Sequence, residues 1–237
     1  MTPVRYQKRI SFCKEGKMRF IGHLDMLRTF QRALQRANVE LVFSQGFNPH
    51  PQMSFSQPLS LGVSGHHEYM ELQLATLWEN DDLVHRVNTE LPAGLRLIEC
   101  QDMPAGTKSA MSLSTHAQYH IQLPSEYADA YPALLEQFMA GEPILIRKWA
   151  KHHGRKQEVE VDLRPMIRSL RLITPCILEL WCACSGTQNL KPDRMMQVFW
   201  ERAGLPEAVW TEQVCRMDLY REEDGQMKTL MDLLTEK

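Results

Sequence analysis

Apolar and polar residues interleave over residues 6–13, where Tyr6, Ile10 and Phe12 are set among Lys8, Arg9 and Ser11, and this period of two predicts a strand. Over residues 24–37 the spacing changes to three and four. Leu24, Leu27, Phe30, Leu34 and Ala37 fall on one side, and Arg28, Arg32, Gln35 and Arg36 on the other, which predicts an amphipathic helix with a basic stripe. Short strands are expected over 41–44 and 52–55, and a clearer one over 68–74. Asp81-Asp82 opens a helix through Thr89, Pro92-Ala93-Gly94 stops it, and a strand over 95–100 follows. Strand, helix, strand, strand, helix, strand is the βαββαβ order of a ferredoxin-like unit.

After Asp102 the pattern pauses. Residues 104–115, with Pro104, Gly106, Thr107 and several serines, read as a linker, and the order then recurs. A strand is expected over 117–123, a helix from Ser125 to Met139, and strands over 143–150, 158–163 and 176–184. A helix from Lys191 to Arg202, closed by Gly204, and a last strand over 209–220 complete the chain. The expected fold is therefore α+β, with two tandem ferredoxin-like (βαββαβ) domains over residues 1–103 and 116–237, the second carrying an extra strand.

Composition narrows the class of protein. With 43% hydrophobic and 24% charged residues in 237, the chain can bury a core without disulfides, and it has no disordered or fibrous character. Its apolar runs, such as 177–183, are too short to cross a bilayer, and no apolar segment follows the charged N-terminus, so the expectation is a cytoplasmic protein with no membrane partner. The six cysteines form no CxxC pair, and Cys182 and Cys184 share one face of a strand, which points to buried thiols in a reducing compartment and away from a metal cluster.

Charge is uneven beneath a net value of −2. Residues 1–50 hold nine Lys or Arg against three acids, and residues 147–171 hold eight against three. Two basic districts in an otherwise acidic chain suggest a polyanion partner, although a solvated face accounts for any single cluster.

The most restricted stretch is Ser44-Gln45-Gly46-Phe47-Asn48-Pro49-His50-Pro51, in which one Gly and two Pro limit the backbone while Gln45, Asn48 and His50 offer hydrogen bonds. With His23 and Asp25 at the start of the basic helix, it suggests a pocket between loop and helix. A tight turn beside a capped helix is the structural alternative. Three chemistries suit these residues. RNA binding would use Arg19, Arg28, Arg32 and Arg36 on phosphates, Ser44, Gln45, Asn48 and His50 as polar contacts, and Phe47, Phe55 or Tyr69 for stacking. Acid–base catalysis on RNA without a metal would use His23 or His50, with Asp25 beside them. A metal would need His23, Asp25, His50, His66 and His67, but no HxxxH or HxH spacing supports that set, and neither metal nor cofactor is expected. Lys-His-His-Gly-Arg-Lys at 151–156 reads as a solvated turn or as a second polyanion contact.

The runs Met18-Arg19-Phe20-Ile21-Gly22-His23-Leu24-Asp25-Met26-Leu27-Arg28, Arg32-Ala33-Leu34, Ser44 to Pro51, and Pro58-Leu59-Ser60-Leu61-Gly62-Val63 resemble the bacterial radical-SAM-linked protein family, a domain of unknown function. The likeness is strongest over residues 6–75. Members are fused to, or encoded beside, a cobalamin-binding radical S-adenosylmethionine protein, so the resemblance implies such a protein as a partner. This chain lacks a CxxxCxxC cluster motif and would be the stand-alone form, with no radical chemistry of its own. What the resemblance and the basic helix jointly imply is a non-catalytic accessory that presents tRNA, rRNA or a ribosomal substrate. An RNA-modifying enzyme and a protein-docking subunit are the alternatives.

Overall fold

A computed structural model describes residues 5–152, 155–205 and 214–235. The first half runs β1 (Tyr6–Lys14), α1 (His23–Arg36), β2 (Met53–Phe55), β3 (Ser64–Leu74), α2 (Asn80–Asn88) and β4 (Leu95–Asp102). A short helix, α3 (Ala110–Leu113), leads to β5 (His116–Gln122), α4 (Tyr131–Ala140), β6 (Leu145–His152) and β7 (Arg155–Asp162). Then come β8 (Ile167–Thr174), β9 (Ile177–Ala183), α5 (Pro192–Ala203), β10 (Val214–Glu223), β11 (Gln226–Thr229) and α6 (Asp232–Thr235). The molecule is a mixed α+β protein built on one large, mostly antiparallel sheet. Its order is β4-β1-β3-β10-β5-β9-β8, with β2 beside β3 and β11 beside β10; among the described residues β6 and β7 pair only with each other.

The two halves thus share a sheet, where the sequence suggested two separate ones. The join is β3 against β10, the sheet's one parallel pair among the described strands, registered at Cys215↔Ser64 and Arg216↔Gly65. Buried side chains reinforce it. Arg216 Nε donates to Glu68 Oε1 at 2.8 Å, and Arg216 also bonds Glu68 Oε2 and, at 2.6 Å, the Gln57 carbonyl. The Tyr69 hydroxyl donates to Asp218. Arg9, fully buried, donates to Glu71 (3.0 Å) and to the carbonyls of Leu230 (2.6 Å) and Lys108 (2.8 Å), while Glu71 accepts from the Ala110 amide at 2.7 Å. The stretch read as a linker is therefore fastened to β1 and β3 at its α3 end.

Two apolar clusters flank these ties. One gathers Ile10, Phe12, Phe30, Leu34, Met70 and their neighbours under α1 and α2; the other gathers Tyr69, Tyr119, Tyr131, Phe199 and Trp200 under α4 and α5. Helix α1 turns Met26, Phe30, Ala33 and Leu34 inward, so the period read from the sequence holds, but Leu24 points out at 65% exposure and Met26 takes the place next to the core. Phe55 packs edge-on to Phe12 at 5.8 Å and is only 6% exposed, and Tyr69 is 1% exposed. Each such ring stabilises the fold by about 1.5–3 kcal/mol through burial. Neither can stack on a bound base.

Local departures from the sequence pattern have local causes. Residues 41–44 form only single bridges, Leu41↔Leu74 and Phe43↔Pro51, because Pro49 and Pro51 cannot extend a ladder. β8 is an edge strand whose Arg168 and Arg171 face outward, which broke the alternation that would have announced it. In place of one inserted strand there is an antiparallel pair, β6–β7. The first residues of the expected last strand, 209–213, lie outside the described residues, and the strand itself continues to Glu223 before turning into β11.

Candidate functional site

Helix α1 and the loop at 44–51 meet, though not where the sequence suggested. The loop closes on itself: Ser44 N donates to the His50 carbonyl at 2.8 Å, His50 N to Ser44 Oγ at 3.0 Å, and Ser44 Oγ shares a 2.8 Å hydrogen bond with His50 Nδ1. Its stem is tied to the sheet through Val42 N to the Gln73 carbonyl (2.8 Å) and Gln73 N to the Gln52 carbonyl (3.0 Å). These bonds spend the polar atoms of Ser44 and one ring nitrogen of His50 on shaping the loop. Gln45, Phe47 and Asn48 are left at its tip, and Phe47 is fully exposed.

Between the loop's stem and the C-terminal half of α1 runs an open groove of about 680 Å³, whose lining includes Gln31, Gln35, Asn38, the exposed acid Glu40, Phe43 and Pro51. Binding clefts for small ligands have volumes of about 300–1,000 Å³, so this groove has room for a nucleotide. Arg28 and Arg32 are exposed on α1 but do not line the groove; Arg32 follows the lining residue Gln31. Arg28 makes only a loose 3.4 Å contact to the exposed Asp25, and Arg32 bonds to none of the described residues. Arg36 is held by Glu90, at 2.9 Å to Oε2 and also through the Glu90 carbonyl, and so contributes less to the free surface. Arg19 is half-buried, with its guanidinium 5.0 Å from the centre of the Phe20 ring.

His23 and Asp25 occupy the opposite end of α1. His23 is the first helical residue and Gln31 lies eight positions on, a rise of about 12 Å at 1.5 Å per residue. No hydrogen bond, ion pair or ring contact among the described residues links His23 or Asp25 to the loop. The expected pocket combining both sets is not formed, because the helix itself separates them. His23 instead lays its ring edge-on to Phe55 at 5.3 Å, and the Asp25 carbonyl accepts from Thr29 Oγ1 at 2.7 Å. Asp25 does not cap the helix; the N-cap is Gly22, with no side-chain cap.

Beneath His23 lies a cleft that sequence reasoning did not find, walled by Phe12, Lys14, Met26, Gln57, Glu68 and Tyr69. Lys14 donates to the Ile21 carbonyl at 3.0 Å, and burial pushes its ammonium below the usual lysine range. Burial also opposes the charge on Arg216 behind it, yet the Glu68 carboxylate holds that guanidinium above its usual range. Perturbed titratable groups at a cleft mark a candidate active site. Volume decides against one here: the cleft encloses about 20 Å³, against the ~10–15 Å³ that a single water requires. It has space for a water and none for a substrate.

The remaining histidines do not assemble. His66 lies 3.9 Å from Glu15, and burial lowers the His67 pKa below the usual imidazole range. No group of three His, Cys, Asp or Glu among the described residues is placed to hold a metal ion. No helix among them is long and apolar enough to cross a membrane.

A family model described as an uncharacterized protein conserved in bacteria (DUF2344) matches residues 7–192. The chain belongs to that family. The match to DUF2344 covers both motif stretches and most of the second half, and its description makes no reference to radical S-adenosylmethionine enzymes. No curated protein matches the chain. A crystal structure of an unknown protein from Galdieria sulphuraria is similar at 11% identity over 93% of this chain and 100% of that one, with a TM-score of 0.28, too low to carry an argument.

Proposed function

We propose that this member of the DUF2344 family is a non-catalytic, cytoplasmic RNA-binding accessory of a radical S-adenosylmethionine protein. The observation that carries the RNA reading is the open groove between α1 and the stem of the motif loop, on the helix that also bears the exposed cations Arg28 and Arg32 and beside the loop that carries the fully exposed Phe47. Phosphates would sit along the helix, and the Phe47 ring at the loop tip would stack on a base. Gln45 and Asn48 beside Phe47 would supply base-edge hydrogen bonds, while Ser44 and His50 hold the tip in shape. The radical partner is suggested by the family resemblance of the motifs alone. Each half is read as one ferredoxin-like unit, with 104–115 between them, a reading supported by the strand orders β4-β1-β3-β2 and β10-β5-β9-β8.

The test is charge reversal. Arg28→Glu with Arg32→Glu should weaken binding of purified tRNA or rRNA fragments at least about tenfold at low salt and reduce the salt slope by roughly 1–2, at about 0.9 per phosphate contact. Unchanged affinity and slope would refute the assignment of this face. A docking role is favoured by a different observation: Phe20, Leu24 and Leu61 are each more than half exposed, and the Gly62 amide's 3.0 Å bond to the Arg19 carbonyl brings the Leu61 segment beside Phe20. Leu24→Asp with Leu61→Asp should abolish co-purification with a cobalamin-binding radical S-adenosylmethionine protein of the kind the resemblance implies, while leaving RNA affinity intact.

A further inference from the structure

The β6–β7 ribbon stands apart from everything described so far. Among the described residues it pairs with no strand of the main sheet, and its base meets a core through the partly buried Ile146 and Val161. That base is held firmly. Asp162 Oδ1 accepts the amides of Ile144 and Arg164, both at 2.9 Å, and Arg164 donates to the carbonyls of Phe138, Met139 and Glu142 at 2.7–2.8 Å. Eight residues per strand at ~3.3 Å each give an arm roughly 25 Å long. The outer part of such an arm adds little to stability, so its sequence is free to serve something else.

Its charges are sorted along its length. Acids lie toward the base, with Glu160 opposite Arg147, Glu158 opposite Trp149 and Asp162 opposite Leu145. From 148 to 157 there are Lys148, Lys151, Arg155 and Lys156 and no acid. The register sets Lys151 directly opposite Lys156, and His152 opposite Arg155. Opposite charges at such pairs stabilise a ribbon by about 0.2–1 kcal/mol, and the sequence at this end supplies cations with no acid to pair them. Trp149, 70% exposed, shares a face by register with position 151, with the exposed Lys156 and with Glu158 directly opposite it. An indole in solvent beside cations, on an anchored arm, has the chemistry that holds an unpaired nucleotide: the ring takes the base and the cations take the flanking phosphates.

We infer that the β6–β7 ribbon is a second RNA-binding element, one that grips unpaired nucleotides through Trp149 with Lys151 and Lys156. The inference rests on the RNA reading above and adds the single-stranded character of the target. The experiment measures affinities of the full chain for a labelled 12-nucleotide oligouridine and for a fully paired RNA hairpin of similar length, using wild type, Trp149→Ala, and Lys151→Gln with Lys156→Gln. Both variants should bind the oligouridine at least fivefold more weakly, the low end of the ~1–3 kcal/mol assigned to base stacking. Trp149→Ala should leave hairpin affinity within about twofold, and the lysine variant should also lower the salt slope. Ultraviolet crosslinking of oligouridine to the wild type, mapped by peptide, should mark residues 145–162 and does not depend on any variant folding. Full affinity in both variants, or crosslinks confined to α1 and the 44–51 loop, would overturn the inference and leave the helix-face reading standing. A wild type that binds neither RNA would overturn both.

Discussion

At the scale of single residues, the titration of Asp218 gives the sharpest expectation. Burial raises its carboxyl pKa to about 7 from 3.8, against the hydrogen bonds it accepts from the Tyr69 hydroxyl and, at 2.6 Å, from the Leu219 amide. The native state therefore binds this proton more tightly than the unfolded chain does. The group's contribution to stability is present below pH ~4 and is lost as pH rises toward 7, on the order of a few kcal/mol. Asp218→Asn keeps an acceptor oxygen and removes the titration, so urea midpoints at pH 5 and pH 7 should draw together in the variant relative to wild type. An unchanged pH dependence would mean that Asp218 is ionised in the fold throughout. Residues of this kind were hidden in the sequence. Lys8 and Arg9 read as polar positions of β1, and Lys14 ends that strand, yet all three are buried, Lys8 against the Trp78 carbonyl (2.8 Å) and Asp102 (2.9 Å). Their partners lie from 7 to 221 positions away, and no local pattern announces them. The basic excess counted over residues 1–50 is correspondingly smaller at the surface, with Arg28 and Arg32 its clearest free members. Phe47 was legible because a large ring between Gly46 and Asn48 has no apolar neighbour to pack with.

Among elements, the seam between β3 and β10 does most to unify the fold. Glu68→Gln should remove the partner of a fully buried guanidinium and destabilise the protein by about 3–5 kcal/mol, measurable by chemical denaturation. A loss under 1 kcal/mol would mean that solvent reaches Arg216. A smaller device fixes the approach to α1. Gly94 has φ +94°, and a Cβ there would lie 2.6 Å from the Glu15 carbonyl oxygen, whose own amide bonds the Gly94 carbonyl at 2.8 Å. Gly94→Ala should destabilise by more than ~1 kcal/mol in a thermal melt, through backbone strain and this contact together. The periodic elements, α1, β3 and α5 above all, could be read from sequence because each buries one face. The seam could not, since a two-residue parallel register between strands some 150 positions apart leaves no mark on either. The β6–β7 pair was seen as one strand, a basic turn and another strand, and what was missing was that the two strands pair with each other and, among the described residues, with no strand of the main sheet.

For the whole molecule, a modest net charge conceals two basic stretches, the exposed Arg28 and Arg32 of α1 and, in sequence, residues 147–156 of the β6–β7 ribbon. Sequence reasoning located the loop and the helix and misplaced their junction, because the separation of His23 from the loop is a matter of helix length. The most direct measurement is the affinity of the purified full chain for total tRNA and rRNA fragments across a salt series from 50 to 300 mM. The account predicts binding whose logarithm falls linearly with the logarithm of salt, with a slope of roughly −2 to −5 for a few phosphate contacts at about 0.9 each. Absence of binding at the lowest salt, or affinity indifferent to salt, would contradict it and leave the exposed apolar residues around Leu24 as the surface to explain.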